Sequence, residues 1–151
     1  MEVEKLAAVF VRGDDFLIAT NWQTEAGFWV SADPVTLLPR SASDSQLGAA
    51  VRLALDSSRR GVPNPSDWSE FPSSLLRVAN VRSWNALQRA AALCQVEADD
   101  AEIRVLPSVN GGTRGDNRGY HSLDELAVVV PVHSSDEELG AVVQSAIGHC
   151  R

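Results

Sequence analysis

The stretch EADDAE gathers four carboxylates, Glu97, Asp99, Asp100 and Glu102, around one turn. Paired carboxylates can serve as acid and base on a glycosidic bond, but that chemistry needs a cleft. This cluster falls where two apolar runs meet, at the tip of a hairpin, and hairpin tips are exposed. Solvated turn residues are the ordinary reading. An acidic docking surface for a basic partner is the functional one. Glu2, Glu4, Asp14 and Asp15 crowd a second turn.

Nucleophilic and metal chemistry have weaker support. The serines lack a G-x-S-x-G elbow. Cys94 can be paired on paper with His121, His133 or His149, yet it lies in an apolar run, where a small buried residue is the ordinary role. His149 and Cys150 are neighbours and miss the usual ligand spacing; they read as a solvated, frayed end. No metal and no cofactor is expected. The loop NGGTRG (Asn110–Gly115) lacks the Gly-Lys-Ser/Thr ending of a phosphate loop and reads as a mobile hairpin connection. Its RGD tripeptide reads as chance, although Asp116 joins the acidic residues as a candidate contact. Trp22, Trp29, Trp68, Trp84, Phe28 and Tyr120 are for the most part core or docking residues. Trp29 and Tyr120 are the candidate interface anchors among them.

The elements that must position these residues are partly doubled. SDSQLGAAVRLALDSSR (Ser43–Arg59) recurs 92 positions later as SDEELGAVVQSAIGHCR (Ser135–Arg151). VTLLP (Val35–Pro39) likewise lies over AVVVP (Ala127–Pro131). The repeated unit is an apolar strand, a proline stop, a polar turn and a helix. Ser43 with Gln46, and Ser135 with Glu138, have capping-box spacing. Leu47, Val51, Ala54 and Leu55 form an apolar stripe, as do Leu139, Val143, Ala146 and Ile147. Gly48 and Gly140 weaken these helices, so close packing is expected there. Arg59 and Arg60 suit the end of the first helix, and Gly61 can terminate it.

Strands fill the rest of each half. EKLAAVFVR and FLIATNW read as a hairpin turning at Gly13–Asp15, followed by two strands, GFWVS and VTLLP. AALCQVEA and AEIRVLP read as a second hairpin turning at Asp99–Asp100. SWNALQRA (Ser83–Ala90) suits a short helix capped by Ser83. The expected fold is α+β: antiparallel sheets with packed helices, in two pseudo-symmetric strand–helix halves. Residues 1–151 form one domain, with halves of about 1–60 and 83–151 and a Pro/Ser-rich linker of about 61–82, which its own Trp68 and Phe71 dock onto the body. The doubled segment is scaffold, so binding falls to the unrepeated hairpins and loops.

Composition narrows the partner. The chain has 151 residues, a net charge of −7 and one lysine, Lys5. Such a chain repels nucleic acid and anionic membranes and favours basic partners. Its first residues are acidic, its apolar runs are too short to span a bilayer, and its two cysteines form no framework pattern. A cytoplasmic protein with reduced thiols is expected.

Ser83-Trp84, the hairpin strand EIRVLPS (Glu102–Ser108), Gly119-Tyr120 and the two Leu-Gly helices, in this order and spacing, resemble the immunity proteins of bacterial contact-dependent growth inhibition (CdiI-type). The resemblance covers most of the chain. It implies a non-enzymatic protein that binds and neutralises the C-terminal toxin domain of a surface effector, often a basic nuclease. The candidate contacts are then Glu97, Asp99, Asp100, Glu102 and Asp116, with Trp29 and Tyr120 as anchors. Two other classes compete. A single-stranded nucleic-acid-binding domain would use aromatic platforms but needs a basic groove. A hydrolase would use Cys94 or a carboxylate pair.

Overall fold

Two apolar runs meeting at Gly13-Asp14 begin the sheet. Strands β1 (Lys5–Arg12) and β2 (Asp15–Thr24) pair antiparallel, with Arg12 opposite Asp15. Gly13 takes the positive φ of +56° that the tight turn requires. The structure, a computed structural model, describes all residues 1–151.

Strand β3 (Trp29–Pro39) pairs antiparallel with β2. It replaces the two strands expected at GFWVS and VTLLP. Ala19 faces Val35 while the next residue, Thr20, faces Ala32, so Asp33 and Pro34 bulge out of one continuous strand. Pro34 has no N–H for the ladder, which is why the interruption falls there.

Helix α1 (Asp44–Asp56) starts in a complete capping box between Ser43 and Gln46. It stops at Ser57, earlier than the arginines suggested. The strand end of β2 captures the chain: Thr20 Oγ1 donates to the Ala54 carbonyl, Trp22 Nε1 to that of Ser57, and Ser58 Oγ to that of Asn21. With its last carbonyls satisfied, the helix gives way to strand β4 (Arg59–Val62), which runs parallel to β2. Arg59, Arg60 and Gly61 are therefore strand residues.

Residues 61–82 hold more structure than a linker. A 3-10 turn at Trp68–Glu70 leads to helix α2 (Ser73–Ala79), which buries Leu75 and Ala79. A seven-residue helix completes too few turns to show its period in the sequence. Helix α3 (Trp84–Ala90) follows, capped by Ser83 as its sequence indicated.

The second half is β5 (Ala92–Ala98), β6 (Glu102–Asn110), β7 (Tyr120–Ser122), β8 (Val128–Pro131) and α4 (Asp136–Gly148). Ser135 caps α4 through the Glu138 amide; the return bond from the Glu138 side chain that a full box requires is not made. The fold is α+β. One eight-stranded sheet runs β3-β2-β1-β5-β6-β7, with β4 beside β2 and β8 beside β6. All pairings but β2–β4 are antiparallel.

The two halves meet along β1–β5, where Ala8 faces Gln95. Outward from that seam the registers match. Asp15 faces Pro39 as Glu102 faces Pro131, and Phe16 faces Leu38 as Ile103 faces Val130. Helices α1 and α4 lie together on one face of the sheet. Their stripes, including Leu47, Val51, Leu139 and Val143, join Val9, Phe16, Ile18, Cys94 and Val96 in the larger core. Each such side chain, fully buried, contributes about 1.5–3 kcal/mol. The helices touch through their glycines: a Cβ on Gly48 would overlap the Asp136 carbonyl, and one on Gly140 that of Asp44. Arg52 secures the contact by donating to Asp136 Oδ1 at 2.9 Å, the Val132 carbonyl at 2.8 Å and the Ser134 carbonyl at 2.6 Å.

Candidate functional site

Strand alternation leaves Leu6, Ala8 and Phe10 of β1 and Leu93, Gln95 and Glu97 of β5 on the face away from α1 and α4. Helices α2 and α3 cover part of that face with Leu75, Ala79 and Leu87. Over the rest runs a groove of about 360 Å³, floored by Ala8 and Gln95 and walled by Trp29, Trp68, Phe71 and Trp84 with Tyr120. The small Ala8 side chain, at the seam between the halves, keeps the floor low.

The walls are held rigidly. Phe10, Trp84 and Tyr120 meet edge to face, with ring centroids 5.9, 6.2 and 6.3 Å apart. Trp84 Nε1 donates to Gln88 Oε1 at 3.1 Å, and Gln88 Nε2 donates to the Gly112 carbonyl at 2.7 Å. Tyr120 donates its hydroxyl to the Ala91 carbonyl at 2.7 Å. Burial pushes the Tyr120 hydroxyl up to about 12, so it stays neutral and remains a donor. On the other side, Phe28 meets Trp68 edge to face at 5.7 Å.

The same network corrects the reading of the glycine-rich loop as a mobile connection. Asn110 Nδ2 donates to the Gln88 and Ala91 carbonyls, and Gly111 and Gly119 close the loop base with backbone bonds. Gly111 lies so close to the Asn117 carbonyl that no Cβ fits. The chain end is likewise held rather than frayed: Arg151 exchanges backbone bonds with Ser108 and Asn110.

Two side-chain oxygens beside the groove are enclosed. Asn21 Oδ1 and Ser31 Oγ, on facing residues of β2 and β3, are buried without a hydrogen-bond partner, and both residues line the groove. Tyr120 is its one ionisable lining residue.

The acidic residues occupy different settings. Glu97 is half-buried on the groove face, opposite Leu6. Burial raises its carboxyl above the ordinary value, although Arg104 pulls the other way. Asp99 builds the turn: its Oδ1 accepts from the Ala101 and Glu102 amides, both at 2.8 Å, and these bonds with the backbone lower its pKa. Asp100 and Glu102 are exposed. Asp116 is exposed in the glycine-rich loop, beyond the opposite end of β6. At a strand rise of about 3.3 Å per residue, the length of β6 puts it roughly 25 Å from the hairpin tip. The fold thus brings Trp29 and Tyr120 into one groove, sets Glu97 beside it, and leaves Asp116 apart.

Cys94 is fully buried beneath the helices, where desolvation favours the neutral thiol. Cys150 Sγ donates to the Leu93 carbonyl at 3.3 Å. The groove combines aromatic side chains with a floor of sheet residues. Sequence reasoning passed over Asn21, Ser31 and Gln95, because an isolated polar residue in a strand reveals its burial only through its neighbours across the sheet.

A family model described as CDI immunity protein matches residues 5–150. No curated protein matches the sequence. Among solved structures, a protein of unknown function from Neisseria meningitidis is similar at 21% identity and a TM-score of 0.74, covering 100% of this chain and 99% of that one. A CdiA-CT/CdiI toxin and immunity complex from Yersinia pseudotuberculosis is similar at 18% identity and a TM-score of 0.73, covering 98% of each chain. At these identities the likeness is one of fold.

Proposed function

The chain belongs to the CDI immunity protein family, and from that premise we propose that it binds the C-terminal toxin domain of a contact-dependent growth inhibition effector and neutralises it by covering its working surface. The observation that carries this reading is the span of the family match, residues 5–150, which takes in every strand and helix that builds the groove. The action is stoichiometric binding in the cytoplasm, without catalysis. The toxin is a nuclease with a basic surface, the natural counterpart of a chain with net charge −7.

The contact surface is the groove face with the neighbouring hairpin tip. Asp100 and Glu102 are its free charges, which speed encounter with a basic partner. Asp99 keeps the tip in shape, and Glu97 supplies a carboxylate beside the rings. Trp29 and Tyr120 are the anchors, set in a rigid, partly desolvated wall of the kind that concentrates binding energy. Asp116 serves, if the partner extends along β6, as a peripheral contact.

The test uses the variable C-terminal domain of the effector encoded immediately upstream. Expressed alone in a bacterial host, that domain is expected to arrest growth. Co-expression of this chain is expected to restore growth and give a heterodimer on gel filtration. Growth arrest that persists despite soluble expression of both proteins refutes the reading. The aromatic groove also suits stacked nucleobases, and tight retention of single-stranded nucleic acid on a filter at low salt would favour that role instead.

A further inference from the structure

Helix α3 and the glycine-rich loop share one buried side chain. Gln88 is 3% exposed, and its amide uses both ends: Oε1 accepts from Trp84 Nε1 at 3.1 Å, and Nε2 donates to the Gly112 carbonyl at 2.7 Å. An amide has one acceptor end and one donor end. The reversed orientation would set donor against donor and acceptor against acceptor. The Gly112 carbonyl therefore fixes which end of Gln88 faces Trp84. The loop holds that carbonyl in turn. Asn110 Oδ1 accepts from the Gly112 amide at 3.0 Å, and the Gly119 amide donates to the Gly112 carbonyl at 2.8 Å. Gly112 itself stands at φ +80°, a conformation that glycine alone takes without strain.

Trp84 depends on such a hold. It is the first residue of α3, 36% exposed, and Phe10 and Tyr120 meet its ring edge to face. An indole has a single N–H donor, so the bond to Gln88 is the directional constraint on the ring. Trp84 lines the groove, whereas Gln88 and the loop residues Gly111–Gly119 do not. We propose, resting on the immunity reading, that Gln88 is the positioning residue of the contact surface: through it the glycine-rich loop sets the Trp84 ring, and with the ring the affinity for the toxin domain. The loop thus shapes the surface that meets the toxin without lining it. Its glycines and Asn110 belong to the binding machinery at one remove.

The test reads the free chain first and the complex second. The indole N–H signals of the four tryptophans are followed by NMR in the isotopically labelled full-length chain, with Trp84→Phe identifying the signal of Trp84. Gln88→Met keeps the side chain's length and removes both bonds. Gly112→Ala strains the loop at its positive φ without a steric contact. Gly115→Ala, at φ +87° and equally open, is the control, because Gly115 makes no bond to Gln88 or Trp84. Gln88→Met and Gly112→Ala are each expected to move the Trp84 signal and speed its exchange with solvent, and Gly115→Ala to leave it in place. Affinity for the upstream toxin domain is expected to fall about tenfold in the first two, as loss of one well-placed hydrogen bond allows. In a Trp84→Ala background Gln88→Met is expected to cost nothing further, a coupling that a merely structural role would not give. Should Gln88→Met not fold, Gly112→Ala carries the test from the loop side. An unmoved Trp84 signal, equal losses of affinity in Gly112→Ala and Gly115→Ala, or an undiminished effect of Gln88→Met without Trp84 overturns the proposal. A wild-type chain that forms no complex with the toxin domain refutes the immunity reading instead, and the claim on affinity with it, whatever the Trp84 signal does.

Discussion

Gly48 lies against the backbone carbonyl of Asp136, the first residue of the other long helix, at a separation that leaves no room for a Cβ. Gly140 stands in the same relation to Asp44. The doubled Leu-Gly helices are thus two halves of one self-complementary contact, like the patch shared by the subunits of a two-fold dimer. Gly48→Ala is expected to cost about 1–3 kcal/mol, since backbone rather than a flexible side chain must move. Adding Gly140→Ala is expected to cost less than the second single change does alone, because one separation of the helices relieves both overlaps. Denaturant unfolding of the two single variants and the double checks the coupling.

Arg52 holds that helix pair from the side. Its three bonds reach Asp136, Val132 and Ser134, and its side chain is only 27% exposed. Arg52→Ala is expected to lower stability by about 2–3 kcal/mol through lost charge-assisted bonds. Arg52→Lys is expected to recover little of it, because an ammonium cannot span three acceptors arranged for a guanidinium. Thermal unfolding of both variants decides the point.

Glu97 and Asp99 titrate in opposite senses. Burial raises Glu97, so the folded chain binds its proton more readily than the unfolded chain does. That contribution to stability is complete below the unfolded-chain pKa and is lost as pH rises through the folded value. Asp99 is lowered by its bonds to the turn, so its contribution is present above the unfolded-chain pKa and is lost as pH falls through the folded one. Glu97→Gln, neutral at every pH, is expected to raise Tm at pH 7 and to remove the Glu97 part of the pH dependence. Melting curves across the acid range read both effects.

Asp100 and Glu102 are exposed and hold no structural bond through their side chains, whereas Asp99 caps its own turn. Charge reversal of Asp100 and Glu102 to lysine is expected to slow association with a basic toxin by about tenfold or more at low salt, with Tm nearly unchanged. Asp99→Lys is expected to lower Tm as well, because two turn amides lose their acceptor. Stopped-flow association at low and moderate salt, set beside melting curves, separates steering from folding. Rates that do not respond to the double reversal would move the contact surface away from the hairpin tip.

Much of the scaffold was legible along the chain. The period of Leu47, Val51 and Leu55, the capping serines and the Gly13 turn are local features, and local sterics and hydrogen bonding decide them. The bulge at Asp33-Pro34 and the early end of α1 were not, because each answers to a neighbouring strand. Helix α2 was missed for a different reason: it is short, and burial of Leu75 and Ala79 against the sheet, rather than its own period, holds it in place.

The sequence by itself determined the doubled strand–helix unit, the close helix contact at its glycines, the acidic hairpin tip and the family resemblance, all carried by residue order, spacing and charge. Only the tertiary structure decided that the halves join along β1–β5 into one sheet, that Trp29, Trp68, Trp84 and Tyr120 share a groove, and that Asn21 and Ser31 beside it each bury an oxygen without a partner. Contacts between residues distant along the chain are set by how strands register and what covers them, and no local pattern encodes that sum.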